Sequence, residues 1–261
     1  MFLATFTILF LGDIVGEVGR NIVQRYLPSL KSTHKPLFTI VNGENTAAGI
    51  GITPKIADQI FDWGVDAITL GNHSFNKREI GPYLDQEPNI LRPINFSARL
   101  PGHGTTVLES DGVTLTVANV SGRVGMDPVY DDPFMAVDRI CETSPGIIFI
   151  DFHGEATSEK VAMGWHCDGR ACAVVGTHTH VQTADERVLP QGTAYITDVG
   201  MCGPLNGVLG MDRDIILRRF RGDLPERFEV AGGPGVICGV VINVERSTGR
   251  AMRIERIRIG E

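Results

Sequence analysis

Five apolar stretches of this chain each break off at side chains that can bind a metal. Residues 5–11 end at Gly12-Asp13, residues 37–41 at Asn42-Gly43-Glu44-Asn45, and residues 67–70 at Gly71-Asn72-His73. Residues 147–150 end at Asp151-Phe152-His153, and the run Ala171, Ala173, Val174, Val175 ends at Gly176-Thr177-His178-Thr179-His180. In open α/β sheets ligands bind beyond the carboxyl ends of the strands, so endings far apart in sequence meet there in space. Taken singly, Asp13 suits a helix cap, Asn72 a turn and His153 a satisfied, half-buried histidine. Five such endings in one chain favour a metal site. Within the last of them, His178 and His180 are one residue apart. In extended chain residues i and i+2 point the same way, so both rings are expected to reach one ion or two adjacent ions.

The segments between these endings supply the layers. Ile22, Val23, Tyr26, Leu27 and Leu30 recur at helical spacing after Gly16 and Gly19, and Lys35-Pro36 stops them. Strand, helix, strand in this order predicts a parallel pair. Thr53 and Pro54 read as N-cap and first turn of a helix over 54–63, with Gly64 as its stop. Residues 76–101, punctuated by Pro82, Pro88, Pro93 and Pro101, read as a short helix and loops. Asp111-Gly112 predicts a hairpin that begins a second sheet, between apolar stretches at 106–108 and 113–120. Residues 122–133 read as a surface loop and a candidate for the substrate mouth. Helices are expected over 134–141 and 157–165, and strands over 193–197, 236–244 and 251–259. In the last strand Met252 and Ile254 are out of phase with Ile257 and Ile259, which predicts a bulge near Glu255-Arg256.

With 261 residues and no Pro-rich, Ser-rich or single-sign run, the chain is expected to form one domain over 1–261. Residues 1–11 lack the basic start and cleavage site of a signal peptide and are too short to span a bilayer. They read as a buried strand of a cytoplasmic protein. The balance of 24 basic against 31 acidic side chains, −7, argues against a general nucleic-acid or membrane surface, so no stable nucleic-acid complex is expected. An anionic substrate must then be drawn in locally, as bound metal would do. Cys141, Cys167, Cys172, Cys202 and Cys238 are odd in number and show no Cys-x-x-Cys, which speaks against a disulfide framework or a zinc ribbon. The loop 46–52 lacks Gly-Lys-Ser/Thr and does not complete a dinucleotide fingerprint, which gives a phosphate-loop reading little weight.

Asp13, Glu44, Asn45, Asn72, His153, His178 and His180 together offer two carboxylates, two amides and three imidazoles. That exceeds what one ion takes once a reactive water is included, so two ions are expected, with Glu44 bridging. Two dications less two carboxylates leave net positive charge to match a hydroxide and a phosphodiester. The absence of thiolate favours manganese, iron or zinc over copper(I). In such a site a water between the ions loses a proton and attacks phosphorus in line while both ions hold phosphate oxygens.

These motifs resemble the calcineurin-like metallophosphoesterase superfamily, and more closely its YmdB-like bacterial phosphodiesterase branch. The closer likeness is carried by Phe10-Leu11-Gly12-Asp13-Ile14-Val15-Gly16, by Val41-Asn42-Gly43-Glu44-Asn45, by Asp151 through Lys160 and by Val175 through Asp185. It extends through Gly200-Met201 and Gly210-Met211-Asp212. The superfamily's usual Asp-x-His pair is Asp13-Ile14-Val15 here, and Glu44 stands where a bridging aspartate is usual. The resemblance implies that Asn45 fills the gap. One metal then takes Asp13, Glu44, Asn45 and His180, and the other takes Glu44, Asn72, His153 and His178. It also implies that His73 sits beside the phosphate, to stabilise the transition state or protonate the leaving alkoxide. The fold it implies is a four-layer α/β sandwich of two mixed β-sheets flanked by helices. The implied substrates are 2′,3′- or 3′,5′-cyclic nucleotides, and the implied ions iron and/or manganese, or zinc. Homo-oligomerisation is expected by analogy alone. Phe75, Tyr130 and Phe134 are candidates to stack a base, although packing is the more ordinary fate of each.

Two other readings compete. An amidohydrolase also uses His-x-His with two metals, but places that pair on the first strand of a barrel, whereas here it is the last of five motifs. A metal-binding regulatory or RNA-associated protein with weak phosphoesterase activity lacks the basic stripe that broad RNA binding needs.

Overall fold

The computed structural model describes residues 4–261, so Met1 to Leu3, the start of the apolar N-terminal run, lie outside the described residues. The chain begins with β1 (Thr5–Leu11), β2 (Asp13–Ile14), α1 (Gly16–His34), β3 (Phe38–Asn42), α2 (Pro54–Asp62), β4 (Ala67–Thr69), α3 (Ile80–Leu84) and β5 (Ile90–Leu91). It continues with β6 (Thr105–Ser110), β7 (Val113–Ser121), α4 (Pro133–Thr143), β8 (Ile147–His153), α5 (Thr157–His166), β9 (Ala173–Thr177), β10 (Arg187–Val188) and β11 (Ala194–Ile196). β12 (Met201–Pro204), α6 (Arg213–Phe220), β13 (Gly235–Glu245) and β14 (Ala251–Gly260) complete it.

Both sheets are mixed. The first has the order β2-β12-β13-β1-β3-β4-β5, with β14 against β13, and the second β10-β11-β9-β8-β7-β6. β1, β3, β4 and β5 run parallel, as do β7, β8, β9 and β11. Phe6, Ile8 and Phe10 of β1 and Ile40 of β3 face Leu115, Val117 and Phe149 of the second sheet, forming the core between the sheets. Alternate residues of the same strands, Leu9, Leu11 and Val41, face outward onto Val23 and Leu27 of α1 and Ile60 of α2. Behind the second sheet Ile148, Ile150 and Phe152 pack on Val137 and Ile140 of α4 and Met163 of α5. Strands covered on both faces read as continuous apolar runs rather than alternating ones, and that is why these runs were legible. The result is the expected four-layer α/β sandwich.

Local signals behave as their chemistry dictates. The Thr53 side chain accepts from the backbone N–H of Ile56 at the start of α2. Asp111 and Gly112, both at positive φ, make the turn between β6 and β7. The bulge in the last hairpin, however, lies between Asn243 and Val244, opposite Met252, and not near Glu255-Arg256. From Arg253 to Gly260 the pairing is unbroken. Ile254 faces the core between the sheets and Ile257 the outer layer, so their odd spacing reflects a sheet covered on both sides. The short strands β2, β5, β10 and β12 and helix α6 had no clear sequence signal.

Candidate metal centre

The carboxyl ends of β1, β3 and β4 in one sheet and of β8 and β9 in the other converge, and all eight candidate residues come together there. His153, the last residue of β8 and fully buried, occupies the middle. Its Nε2 lies 3.1 Å from Asn72 Oδ1, 3.1 Å from Glu44 Oε1 and 3.1 Å from His178 Nδ1. One ring nitrogen cannot serve three hydrogen bonds. Separations of about 3.0–3.4 Å are, however, the edges of a coordination shell with metal bonds of about 2.1 Å. Glu44, His153 and His178 thus form a cluster fit for a cation.

The other half of the site is looser and shares Glu44. Its Oε1 also accepts from Asn45 Nδ2 at 3.3 Å, and Asn45 Nδ2 lies 3.1 Å from His180 Nε2. Asp13 is buried; its Oδ2 accepts from the His178 backbone N–H at 3.2 Å, while Oδ1 has no hydrogen-bond partner among the described residues and stands 4.0 Å from His180 Nε2. A buried carboxylate oxygen without a donor is costly, and a cation would satisfy it. Ligation by Asn45 requires its amide to turn over and present Oδ1, a half-turn that exchanges two nearly isosteric groups.

Each imidazole is aimed by the nitrogen that faces away. Thr177 Oγ1 donates to Asp151 Oδ1 (2.7 Å), so its lone pair accepts from His153 Nδ1 at 2.9 Å and leaves Nε2 toward the cluster. His178 Nε2 lies 3.3 Å from Glu155 Oε2, leaving Nδ1 inward. His180 Nδ1 donates to the Leu209 carbonyl at 3.0 Å, leaving Nε2 inward. These donors suit borderline ions such as zinc, iron and manganese. His73, at the rim, donates from its backbone N–H to Glu44 Oε2 (3.1 Å), and its Nδ1 meets Asn76 Oδ1 at 3.2 Å.

The electrostatics match a site built for positive charge. Burial pushes the Asp13 carboxyl up to about 6, against the pull of His180 and His153. Burial alone would raise Glu44, but the adjacent His153 outweighs it and holds Glu44 at about 2. His153 is driven the other way: burial opposes its charge, and Glu44 beside it raises it to about 9. Burial and the His153 charge keep His178 down at about 3.

Several expectations need correction. The histidine pair does not converge by strand alternation, because β9 ends at Thr177 and both His178 (φ 97°) and His180 (φ 64°) are left-handed. What aims them is Thr179 between, whose N–H and hydroxyl both donate to Asp198 Oδ2, itself paired with buried Lys160 at 2.6 Å. The cleft above the cluster takes its lining from residues 208–228 rather than from 122–133, whose start is tied to Glu159 through the backbone N–H groups of Arg123 and Val124, although Tyr130 of that segment stands near enough to feel the Glu44 charge. Tyr130 stacks on Phe96, Phe75 packs against the same ring, and Phe134 meets His166, so all three take the packing role. Sequence reasoning assigned no role to Thr177, Asp151, Glu155, Asp198 or Lys160. The pairing of His153 with Thr177 across β8 and β9 is the register signal that joins the first two. Gly71 is required at its position: a Cβ would fall 2.3 Å from both Glu44 Oε2 and His153 Nε2.

Two mixed sheets between helices, with carboxylates, amides and imidazoles gathered at the strand ends, define a metallophosphoesterase. A family model described as YmdB-like protein matches residues 9–257, and the chain belongs to that family. It is 54% identical over 258 residues to the 2′,3′-cyclic-nucleotide 2′-phosphodiesterase of Bacillus subtilis (strain 168), covering 97% of each chain. A crystal structure of a phosphatase from Mycoplasma pneumoniae superposes with a TM-score of 0.94 at 35% identity, covering 100% of this chain and 95% of that one. The NAD nucleotidase of Haemophilus influenzae, at 12% identity and a TM-score of 0.59 over 98% of this chain and 56% of its own, shares the fold alone.

Proposed function

We propose that this chain is a dinuclear phosphodiesterase that hydrolyses 2′,3′-cyclic nucleotides, and 3′,5′-cyclic ones in addition, with iron and/or manganese, or zinc. The observation that carries the reading is the aiming of three imidazoles, each tied by its outer nitrogen, onto two carboxylates and two amides. The activity of the Bacillus subtilis relative supports the substrate class. Asp13, Glu44, Asn45 and His180 would hold one ion, and Glu44, Asn72, His153 and His178 the other. Bound there, the pair would supply Lewis acidity, lowering the pKa of water and neutralising the phosphate oxygens.

The residues do the rest. Glu44 Oε1 touches both halves of the cluster and keeps them together. On a 2′,3′-cyclic ester, water adds to phosphorus, the P–O2′ bond breaks, and the 2′ alkoxide takes a proton, leaving the 3′-monophosphate. His73 is the donor in its imidazolium form: Asn76 Oδ1 accepts from its Nδ1–H, the Nε2–H goes to the leaving oxygen, and the proton lost by the attacking water restores the ring.

Hydrolysis of bis-p-nitrophenyl phosphate, before and after chelation and with manganese restored, tests the activity; a panel of cyclic and linear nucleotides then tests the substrate. Turnover that disappears with the metal and returns with it is expected. A fully loaded protein that leaves every ester intact refutes the reading. His73→Ala should lower kcat by about 10²–10⁴-fold at unchanged metal content. Full turnover in that variant would remove the role.

A further inference from the structure

The cleft above the cluster, about 540 Å³, has two unlike sides. Its floor is polar, with Glu44, His73, His178 and His180. The opposite wall comes from residues 208–228, which carry none of the ligand motifs, and presents Leu209, Phe220 and Phe228 with Arg219 beside them. Phe220 leaves 83% of its surface exposed and Phe228 41%. The Arg219 guanidinium lies 4.6 Å from the centroid of the Phe228 ring. The wall is fastened to the floor, because the Leu209 carbonyl is the group that orients His180. Asp212 caps α6, accepting from Asp214 and Ile215 at 3.0 Å each, and so fixes the helix that carries Arg219 and Phe220.

The apolar faces of Leu209, Phe220 and Phe228 offer a phosphate group nothing. Exposed aromatic faces and a guanidinium plane form a surface on which a flat heterocycle stacks, and every base has a π face to offer. The volume lies within the roughly 300–1,000 Å³ of sites that take small organic ligands. We infer that the wall is the nucleobase subsite of this cleft, with Phe220 as the stacking face and Phe228 and Arg219 completing it. The inference rests on the reading of the site as a cyclic-nucleotide phosphodiesterase. It makes the wall the element that selects nucleotides over base-free esters, and purines over pyrimidines through their larger stacking area.

The test compares kcat/KM of the metal-loaded full chain for 2′,3′-cyclic AMP, 2′,3′-cyclic UMP and a base-free methyl riboside 2′,3′-cyclic phosphate. Calorimetry compares binding of adenosine 3′-monophosphate with that of methyl riboside 3-phosphate. The wild type should favour the adenosine ester over the base-free one by about tenfold or more. In Phe220→Ala that ratio should fall toward one, chiefly through KM and at unchanged metal content, and Phe220→Trp should restore it. An unchanged ratio, or equal losses on all three esters, overturns the inference. So does a change of oligomeric state with the ratio intact, which would assign Phe220 and the exposed Leu224 to contact with a second copy of the chain. A preference for the base in binding without turnover of any ester would defeat the catalytic reading and leave the subsite standing; turnover without that preference would do the reverse.

Discussion

Replacing Thr177 by valine removes one hydroxyl and almost no volume from a fully buried position. That hydroxyl donates to Asp151 at 2.7 Å and accepts from His153 Nδ1 at 2.9 Å. Valine leaves a buried imidazole N–H and a buried carboxylate oxygen each short of a partner, at about 1–3 kcal/mol apiece. The larger consequence concerns the metal. With Nδ1 no longer fixed, the proton can move to Nε2 and the ring can tilt. Loss of such an outer partner lowers metal affinity or activity by about 10–100-fold. The assay is manganese affinity by chelator competition, measured beside turnover, for Thr177→Val and for Thr177→Ser, which keeps the hydroxyl and should keep most of the affinity. If the valine variant melted lower but bound manganese and turned over substrate as the wild type does, the threonine would be a packing residue and the orientation argument would fail.

Gly71→Ala should abolish metal binding at little cost to the rest of the fold, because its Cβ would sit 2.3 Å from Glu44 Oε2 and His153 Nε2; metal content of the purified variant decides this. Lys160→Met strands the buried Asp198 charge and should cost about 3–5 kcal/mol in denaturant unfolding, with Lys160→Met/Asp198→Asn recovering part of it. Asp13 gives a pH signature in the chelated protein. Its folded pKa of about 6 exceeds the ordinary carboxyl value of 3.8, so the folded state binds more protons between those values and stability falls as pH rises through that window. The loss is about 3 kcal/mol by pH 7. Asp13→Asn should therefore melt higher than wild type when both are metal-free at pH 7.5, and lower when both are saturated with manganese; the same order in both conditions would contradict it.

The parts of the site legible in the sequence were those in which an apolar run stops at a candidate ligand, because strand length and the sheet-edge rule determine where such a residue lies. The aim of the ligands was not legible. His178 and His180 owe their direction to left-handed backbone held by Asp198, and Asp198 is paired with Lys160, 38 residues earlier in sequence. α6 was invisible for a simpler reason: among its eight residues only Ile216 is buried, so no apolar face marks it as a helix. The mouth was legible only in part. Loop composition picked out residues 122–133, but Glu159 holds the start of that segment, while the sparsely buried stretch around α6 lines the cleft.

Candidate ligands drawn from two different sheets stay in register because one carboxylate spans them. Asp151 Oδ2 accepts from Asn42 Nδ2 of β3 at 3.0 Å and from Thr69 Oγ1 of β4 at 2.5 Å, while Oδ1 accepts from Thr177 of β9. Asn42 directly precedes the Gly43-Glu44 turn, and Thr69 stands three residues before Asn72. Burial pushes the Asp151 carboxyl up, and His153 with the three donors pulls it back. A neutral group there would lose an acceptor for at least one of those donors, because only the carboxylate can accept at both oxygens from both sheets. The carboxylate therefore joins the sheets at the level of the site and, through Thr177, sets which nitrogen of His153 faces the cluster. The geometry of the centre is thus coupled to the packing of the two sheets through a residue that is not itself a ligand.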